Sequence, residues 1–406
     1  MGFADPRSHA RVMNPLSVVG LKRKRVAAPG TSPIRVPLDG ASSAGRGATS
    51  ALLNAMLGAH EKISDLVLSP GRPPQVQVYG QLMPVEVQGV TILTPDDTRR
   101  IAADLIGDNQ QAISTLREQG ACDVSFSLAG MARFRVNVFI QRGSCAVIMR
   151  VIPTAIPDLA SLRLPESLAE VSRLRDGIVL VTGPVGSGKS STLAVLLDTI
   201  NRERSYHVIT IEDPIEFLHN HKSSTIHQRE LHSDTPSFAH ALRSAMRQAP
   251  KVILVGDMRD AETMETVLEA AETGHLVFSS MNTMDAAKTL ERFAGAFPAT
   301  RQQSIRERLG KTLRYVICQR LLPRADRSGR VPAVEILKAD SKTRPCIEKG
   351  ESENDALQAA MKSGSKDGMQ SFDSEIARLL RDRVIELDTA LAFASNPALL
   401  GQELAR

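Results

Sequence analysis

Short apolar runs alternate with longer amphipathic stretches through the middle of the chain. Four runs, at residues 178–181, 208–211, 252–255 and 276–279, are bounded by glycine or polar residues and indicate buried strands. Continuous apolar strands separated by helices are typical of a parallel sheet covered on both faces. The pattern therefore predicts an α/β domain, which we place at residues 166–345.

The preceding part of the chain shows a different alternation. Apolar positions predict one helix at residues 51–57 and four strands at residues 76–79, 123–128, 132–140 and 145–151. Period-two alternation puts Arg133, Arg135 and Asn137 on one face of the third strand. We expect an α+β domain at residues 49–152 with a basic face, which is either simply solvated or functional.

Three further segments lie outside these domains. Residues 1–48 are rich in Pro, Gly, Ser and Ala and are expected to be disordered; their basic tetrad at 22–25 is either solvated or contacts nucleic acid or anionic lipid. Residues 153–165 carry Pro153 and Pro157 and are expected to form a linker. Apolar stripes at 372–380 and 387–393 predict a small helical bundle within residues 346–406.

Composition adds bounds to this picture. Of the 406 residues, 42% are hydrophobic and 23% are charged, which is ordinary for a globular protein. No apolar stretch approaches the roughly 20 residues needed to cross a bilayer, and the start of the chain has no secretory apolar region, so we expect a cytoplasmic protein. The four cysteines form no C-x-x-C pair, so neither a zinc site nor a disulfide framework is predicted.

A glycine-rich loop directly follows the first apolar run. Its sequence, Gly-Pro-Val-Gly-Ser-Gly-Lys-Ser, fits the G-x-x-x-x-G-K-S pattern between a strand and a helix. Such a loop points backbone N–H groups at phosphate oxygens, and the helix N-terminus adds its positive dipole end. Lys189 is expected to reach the β- and γ-phosphates, and the Ser190 hydroxyl to bind Mg²⁺. The predicted ATP-binding residues are Gly183, Pro184, Val185, Gly186, Ser187, Gly188, Lys189, Ser190 and Ser191.

Polar groups also stand at the ends of three other predicted strands, where a doubly wound sheet has its ligand crevice. Glu212 and Asp213 follow one apolar run. Asp257 follows the next, as the acid of a Walker B segment does. His275 and Asn282 flank the third, and both are interpreted as groups able to sense a γ-phosphate.

In this order behind the loop, these segments resemble the secretion ATPases, and among them the retraction motors of type IV pili (PilT/PilU type). The resemblance covers about residues 60–395 and includes the Asp box at 211–217 and the His box at 273–276. Two motifs, Gln228-Arg-Glu230 and Gly368-Met-Gln370, indicate the retraction branch. The tetracysteine zinc insert usual in extension and secretion motors has no counterpart here.

The resemblance implies a fold and an assembly. It implies a PAS-like N-terminal domain, a RecA-like ATPase domain, a ring-shaped homo-hexamer and ATP with Mg²⁺ at the domain junction. It also implies a location at the inner face of the cell membrane. The implied partners are the inner-membrane pilus platform protein and, as a further candidate, a second retraction ATPase. Nucleic acid is not expected as a partner, because aromatic residues make up only 3% and stacking platforms are scarce.

The resemblance also implies roles for individual residues. Glu212 would polarise the attacking water, and Asp257 would hold Mg²⁺ together with Ser190. His275 would couple the phosphate state to the next strand. The motif positions of the arginines that enter from the N-terminal domain match Arg135 and Arg150 best, with Arg133 as a neighbouring candidate. Such arginines contribute about 10³ to 10⁵ in rate where they act as fingers.

Three positions depart from the family pattern. Asp257 stands where the family has the longer glutamate, and Asn282 and Val67 each replace a histidine. A displacement of about 1 Å at a catalytic group can lower a rate on the order of 10²-fold. The departures therefore favour one alternative to a full retraction motor, a weakly hydrolysing accessory ring subunit. A second alternative, an ATPase of a Dot/Icm-like type IV secretion system, stays open because the sequence separates it only weakly from a retraction motor.

Overall fold

The computed structural model describes residues 34–36, 46–350, 354–397 and 400. They are organised around two seven-stranded sheets. The basic tetrad and most of the tail predicted at residues 1–48 lie outside the described residues. Within that predicted tail, Ile34–Val36 form a short strand and a helix begins at Arg46, neither of which the composition suggested. No helix in the described ranges combines the length and apolarity needed to span a bilayer.

The N-terminal sheet is antiparallel except for the parallel pair that residues 34–36 form with residues 85–87. Its strands are β1 (Ile34–Val36), β2 (Ile63–Leu68), β3 (Gln75–Val78), β4 (Gln81–Val87), β5 (Ala121–Leu128), β6 (Ala132–Gln141) and β7 (Ser144–Ile152). They lie in the order β1-β4-β3-β2-β7-β6-β5. The helices α1 (Arg46–Gly58), α2 (Pro95–Ile106) and α3 (Gln110–Gln119) contact this sheet. Phe134, Val136 and Val138 are fully buried, which confirms the predicted alternation along β6.

The second sheet is built from the middle of the chain. Its strands are β8 (Gly177–Thr182), β9 (His207–Glu212), β10 (Thr225–Glu230), β11 (Val252–Val255), β12 (Leu276–Met281), β13 (Leu313–Pro323) and β14 (Arg330–Lys338). The order is β10-β9-β11-β12-β8-β13-β14, and only the β13–β14 pair is antiparallel. A 3₁₀ helix, Glu166–Arg173, precedes β8.

Helices cover both faces of this sheet: α4 (Lys189–Glu203), α5 (Phe238–Ala245), α6 (Ala261–Glu272), α7 (Ala286–Gly295) and α8 (Ala299–Thr312). Successive residues of β8 point into different cores, since Ile178 and Leu180 belong to one and Val179 and Val181 to the other. Burial on both faces explains why the strand is apolar at every position from Ile178 to Val181 rather than at every second one.

The C-terminal helices are α9 (Arg344–Lys349), α10 (Asn354–Ser363), α11 (Phe372–Arg381) and α12 (Leu387–Phe393). The predicted helical stripes are present, and α11 packs both against α12 and against strand β14 of the second sheet. Phe372, Ile376 and Leu379 of α11 join one of the two cores of the second sheet. The stripes are amphipathic, and the nearest large apolar surface is the sheet itself.

Candidate active site

The glycine-rich loop connects the buried strand β8 to α4. Gly188 caps the helix with φ 92°, a left-handed conformation that L side chains rarely adopt. A Cβ at Gly183 would collide with the backbone carbonyl oxygen of Gln319, so the loop needs glycine there for space. The loop is therefore held against β13 with its backbone curled at the N-terminus of α4, which is an anion-binding arrangement.

Lys189 is folded back onto its own loop. Its Nζ donates to the carbonyl oxygens of Gly183 at 3.0 Å and Pro184 at 3.1 Å. Burial lowers the pKa of Lys189, while the nearby carboxylates of Asp257 and Glu216 oppose the shift. The Ser187 hydroxyl is buried without a hydrogen-bond partner among the described residues. The Lys189 cation and the N-terminus of α4 lie in one loop, and together they suit an anionic ligand such as a phosphate.

A cavity of about 550 Å³ opens in front of the loop. The predicted residues that line it are Val185, Gly186, Gly188, Lys189, Ser190, Ser191, Glu212, Asp257 and Asn282. Pro184 and Ser187 line a second cavity of about 530 Å³, to which residues of α12 also contribute. Gly183 forms the turn at the end of β8. The folded chain thus brings most of the predicted loop and both predicted carboxylates to one space.

Glu212 ends β9 and is held by three donors. Its Oε1 accepts from the Thr210 hydroxyl at 2.6 Å and from Gln228 Nε2 at 3.1 Å, and its Oε2 accepts from the Glu216 N–H at 3.4 Å. Burial raises the pKa of Glu212 to about 7, although these hydrogen bonds act in the opposite direction. A fixed carboxylate with a pKa near neutrality is suited to accept a proton from a water molecule.

Asp257 follows β11 and is engaged by an arginine two residues further on. Its Oδ2 lies 2.8 Å from Arg259 Nε, and Arg259 Nη1 lies 3.7 Å from Oδ2 of Asp213. Asp257, Arg259 and Asp213 all line the cavity. The acidic ends of β9 and β11 are therefore joined through one guanidinium group beside the loop.

His275 does not reach this cavity. It stands before β12, at the edge of the sheet opposite the loop, and its Nδ1 lies 2.9 Å from the Ala270 carbonyl oxygen. At the other end of the strand, Met281 pairs with Thr182 directly before the loop, and Asn282 lines the cavity. The sequence interpretation placed the polar groups at both ends of β12 near a γ-phosphate. In the folded chain only Asn282 lines the cavity, and His275 lies at the far end of the strand. An indirect coupling role for His275 stays a prediction.

Arg135 and Arg150 are cross-strand neighbours on the N-terminal sheet. Arg150 Nε lies 2.9 Å from Asp65 Oδ1, and Arg135 Nε lies 3.9 Å from Asp123 Oδ1. The Arg150 side chain is 72% exposed and the Arg135 side chain is 54% exposed, and neither residue lines the cavity. A single chain therefore leaves both arginines away from the loop, and their contact with nucleotide stays a prediction.

Sequence reasoning missed the residues that hold Glu212 in place. Thr210 and Gln228 are paired neighbours on β9 and β10, and Gln228 Nε2 also donates to the Phe217 carbonyl oxygen at 2.9 Å. Gln228 belongs to a motif that indicated only the branch of the family. Its strand β10 is polar and lies at the sheet edge, so hydrophobic pattern did not reveal that it faces the site.

Known proteins are similar to this chain in sequence and in fold. Residues 119–379 match the family described as Type II/IV secretion system protein. The chain is 40% identical over 342 residues to the type IV pilus retraction ATPase PilT of Pseudomonas aeruginosa, which covers 84% of this chain and 96% of that protein.

Two solved structures are similar in fold. The crystal structure of the pilus retraction motor PilT with bound ADP has a TM-score of 0.76 and 38% identity, covering 87% of this chain and 98% of that one. The Legionella pneumophila ATPase DotB has a TM-score of 0.74 and 27% identity, covering 89% and 98%. The first likeness confirms the predicted PAS-like and RecA-like fold with C-terminal helices. The chain therefore belongs to the type II/IV secretion system protein family, is similar to pilus retraction ATPases over most of its length, and is a P-loop ATPase.

Proposed function

We propose that this chain is a motor that hydrolyses ATP to drive the retraction of a type IV pilus. The observation that carries the proposal is a cavity that the glycine-rich loop shares with Glu212 and Asp257. The choice of retraction is supported by 40% identity to the P. aeruginosa retraction ATPase over 96% of that protein.

ATP binding is assigned to the loop and hydrolysis to the carboxylates opposite it. Lys189 is placed to leave its carbonyl partners for the β- and γ-phosphates, which bear more negative charge. Glu212 orients the attacking water and takes up its proton, because its carboxylate is fixed by Thr210 and Gln228 and has a pKa near 7.

Mg²⁺ is the metal that the donor set fits. Within the described ranges, no group of three or more His, Cys, Asp or Glu side chains is arranged to hold a metal ion by itself. Mg²⁺ usually takes one or two protein oxygens and fills its remaining positions with phosphate and water. The Ser190 hydroxyl and the Asp257 carboxylate, both on the cavity wall, would supply those protein oxygens. When bound, the ion would neutralise charge on the β- and γ-phosphate oxygens.

A ring of six copies is proposed as the working assembly. The exposed Arg135 and Arg150 lie outside the cavity of their own chain, so charge stabilisation by them requires a rearrangement or a neighbouring copy. We place the ring in the cytoplasm at the inner face of the cell membrane, against the pilus platform protein. A second retraction ATPase is a further candidate partner.

A weakly hydrolysing accessory subunit is the second candidate. Asp257 and Asn282, two of the departures from the family pattern, both line the nucleotide cavity. A shorter carboxylate and a group that does not titrate at neutral pH would slow hydrolysis without removing nucleotide binding.

Live imaging of labelled pili tests the main proposal. In a host that lacks the gene, we expect pili to extend and fail to retract. Restoring the wild-type chain should return retraction, whereas Lys189→Ala should not. Lys311→Ala, the same change at an exposed position on α8, is the matched control and should behave as wild type. Loss of pili in the deletion host would instead identify an extension motor, and unchanged retraction would leave the accessory role.

A further inference from the structure

Arg133 joins the N-terminal sheet to the second sheet. Its Nη2 lies 3.1 Å from Oε2 of Glu230, the last residue of β10, and its Nη1 donates to the Ser127 hydroxyl of its own sheet at 3.2 Å. The side chain of Glu230 is only 5% exposed and that of Arg133 only 21%. Sequence reasoning kept Arg133 as a candidate for reaching nucleotide, but in the folded chain it is occupied in this pair.

Glu230 in turn touches the segment that follows Glu212. The oxygen that faces Arg133, Oε2, also accepts from the Ile215 N–H at 3.0 Å. Glu230 is the register partner of Glu212 across β10 and β9, and the N–H of the next residue, Leu231, donates to the Glu212 carbonyl oxygen at 2.9 Å. One carboxylate oxygen therefore meets both a cation from the N-terminal sheet and the backbone beside the proposed catalytic glutamate.

The segment held in this way forms part of the active-site wall. Asp213, Pro214 and Glu216, on either side of Ile215, line the nucleotide cavity. Glu216 donates its N–H to Glu212, so a shift of this segment would change how the Glu212 carboxylate is held. Neither Arg133 nor Glu230 lines the cavity itself.

We propose that Arg133 and Glu230 are a positioning pair that ties the placement of Glu212 to the contact between the two sheets. Removing the cation leaves a buried carboxylate without its charged partner, an arrangement that proteins relieve by moving the group or admitting water. Movement pulls Glu230 away from the Ile215 N–H, and admitted water competes for the same carboxylate oxygen, so either response weakens the hold on the catalytic segment. The proposal rests on the proposed role of Glu212 in hydrolysis.

The pair predicts a loss of turnover without a loss of nucleotide affinity. In the full-length chain, Arg133→Met and Glu230→Ala should each lower kcat for ATP about 10- to 100-fold, as expected for a displacement of about 1 Å or less. KM and the Kd for a fluorescent ADP analogue should stay within about 2-fold, because the loop is untouched. The double variant should be no slower than the slower single variant, since both changes break one chain of contacts. Arg133→Lys, which keeps the charge, should recover most of kcat.

Arg308→Met is the matched control. Arg308 is similarly covered at 24% exposure, and its Nε lies 2.7 Å from Glu272 at the end of α6, outside the cavity. It should change the melting temperature and leave kcat as in wild type. The positioning role would be overturned if Arg133→Met lowered the melting temperature as much as the control does and left its own kcat unchanged. It would also be overturned if the losses of kcat in the two single variants added up in the double variant. Absence of ATP turnover in the wild-type chain would refute the proposed function instead, which keeps the two failures distinct.

Discussion

Replacing Glu212 by glutamine should make the chain more stable at alkaline pH and should strongly lower its ATPase turnover. Burial raises the pKa of the Glu212 carboxyl from 4.5 to about 7, so the folded chain holds this proton more tightly than the unfolded chain does. Stability from this group is complete below pH 4.5 and is lost as the pH rises toward 7. Glutamine has the same shape and no proton to lose.

The size of the effect follows from the shift. One pKa unit corresponds to about 1.4 kcal/mol, so ionisation of Glu212 should lower the free energy of unfolding by about 3 kcal/mol between pH 4.5 and 7. The advantage of Glu212→Gln over wild type should therefore grow by about 3 kcal/mol across that range. Over the same range, kcat of the wild-type chain should rise, because only the ionised carboxylate accepts a proton. Loss of that base should lower kcat by about 10² to 10⁴.

Glu335 supplies an unusually close control. Burial also raises its pKa to about 7, and its Oε1 accepts from the Ala286 N–H at 2.8 Å at the start of α7. Glu335 does not line the cavity. Glu335→Gln should therefore show the same pH-dependent gain in stability and wild-type kcat.

The assays are urea titrations at pH 5 and pH 8 together with steady-state ATPase kinetics at each pH. If the Glu212→Gln and wild-type free energies of unfolding run parallel between these pH values, the carboxyl does not have the raised pKa. If turnover survives in Glu212→Gln and falls in Glu335→Gln, the assignment of the base is wrong.

Two other predictions concern the departures and the arginines. Asp257→Glu should raise ATP turnover by restoring the reach of the carboxylate, and Asn282→His should raise it further; a double variant no faster than wild type in steady-state assays would remove the case for an attenuated motor. Arg135→Ala and Arg150→Ala should each lower kcat by at least about 10³-fold. With ATP, light scattering should show a hexamer for the wild-type chain and for both variants. A strict monomer with and without ATP would contradict the ring, and unchanged kcat would contradict the role of the arginines.

The local pattern of the chain determined the loop and the strands around it. The spacing of Gly183, Gly188 and Lys189 requires only a strand before and a helix after, and both contributions are local in sequence. Burial on both faces makes β8, β9, β11 and β12 apolar runs, so hydrophobicity alone located them. The carboxyl ends of parallel strands meet at one edge, which is why Glu212 and Asp257 could be placed together in advance.

Tertiary structure decided what depends on pairing between distant segments. The edge strand β10 is too polar to be recognised by pattern, yet its register beside β9 brings Gln228 to Glu212 and Glu230 to Ile215. The period-two pattern of β6 puts Arg133 and Arg135 on the same face and does not distinguish between them. The contact between the two sheets pairs Arg133 with Glu230 and leaves Arg135 exposed. These contacts link residues far apart in the chain, and no local periodicity encodes them.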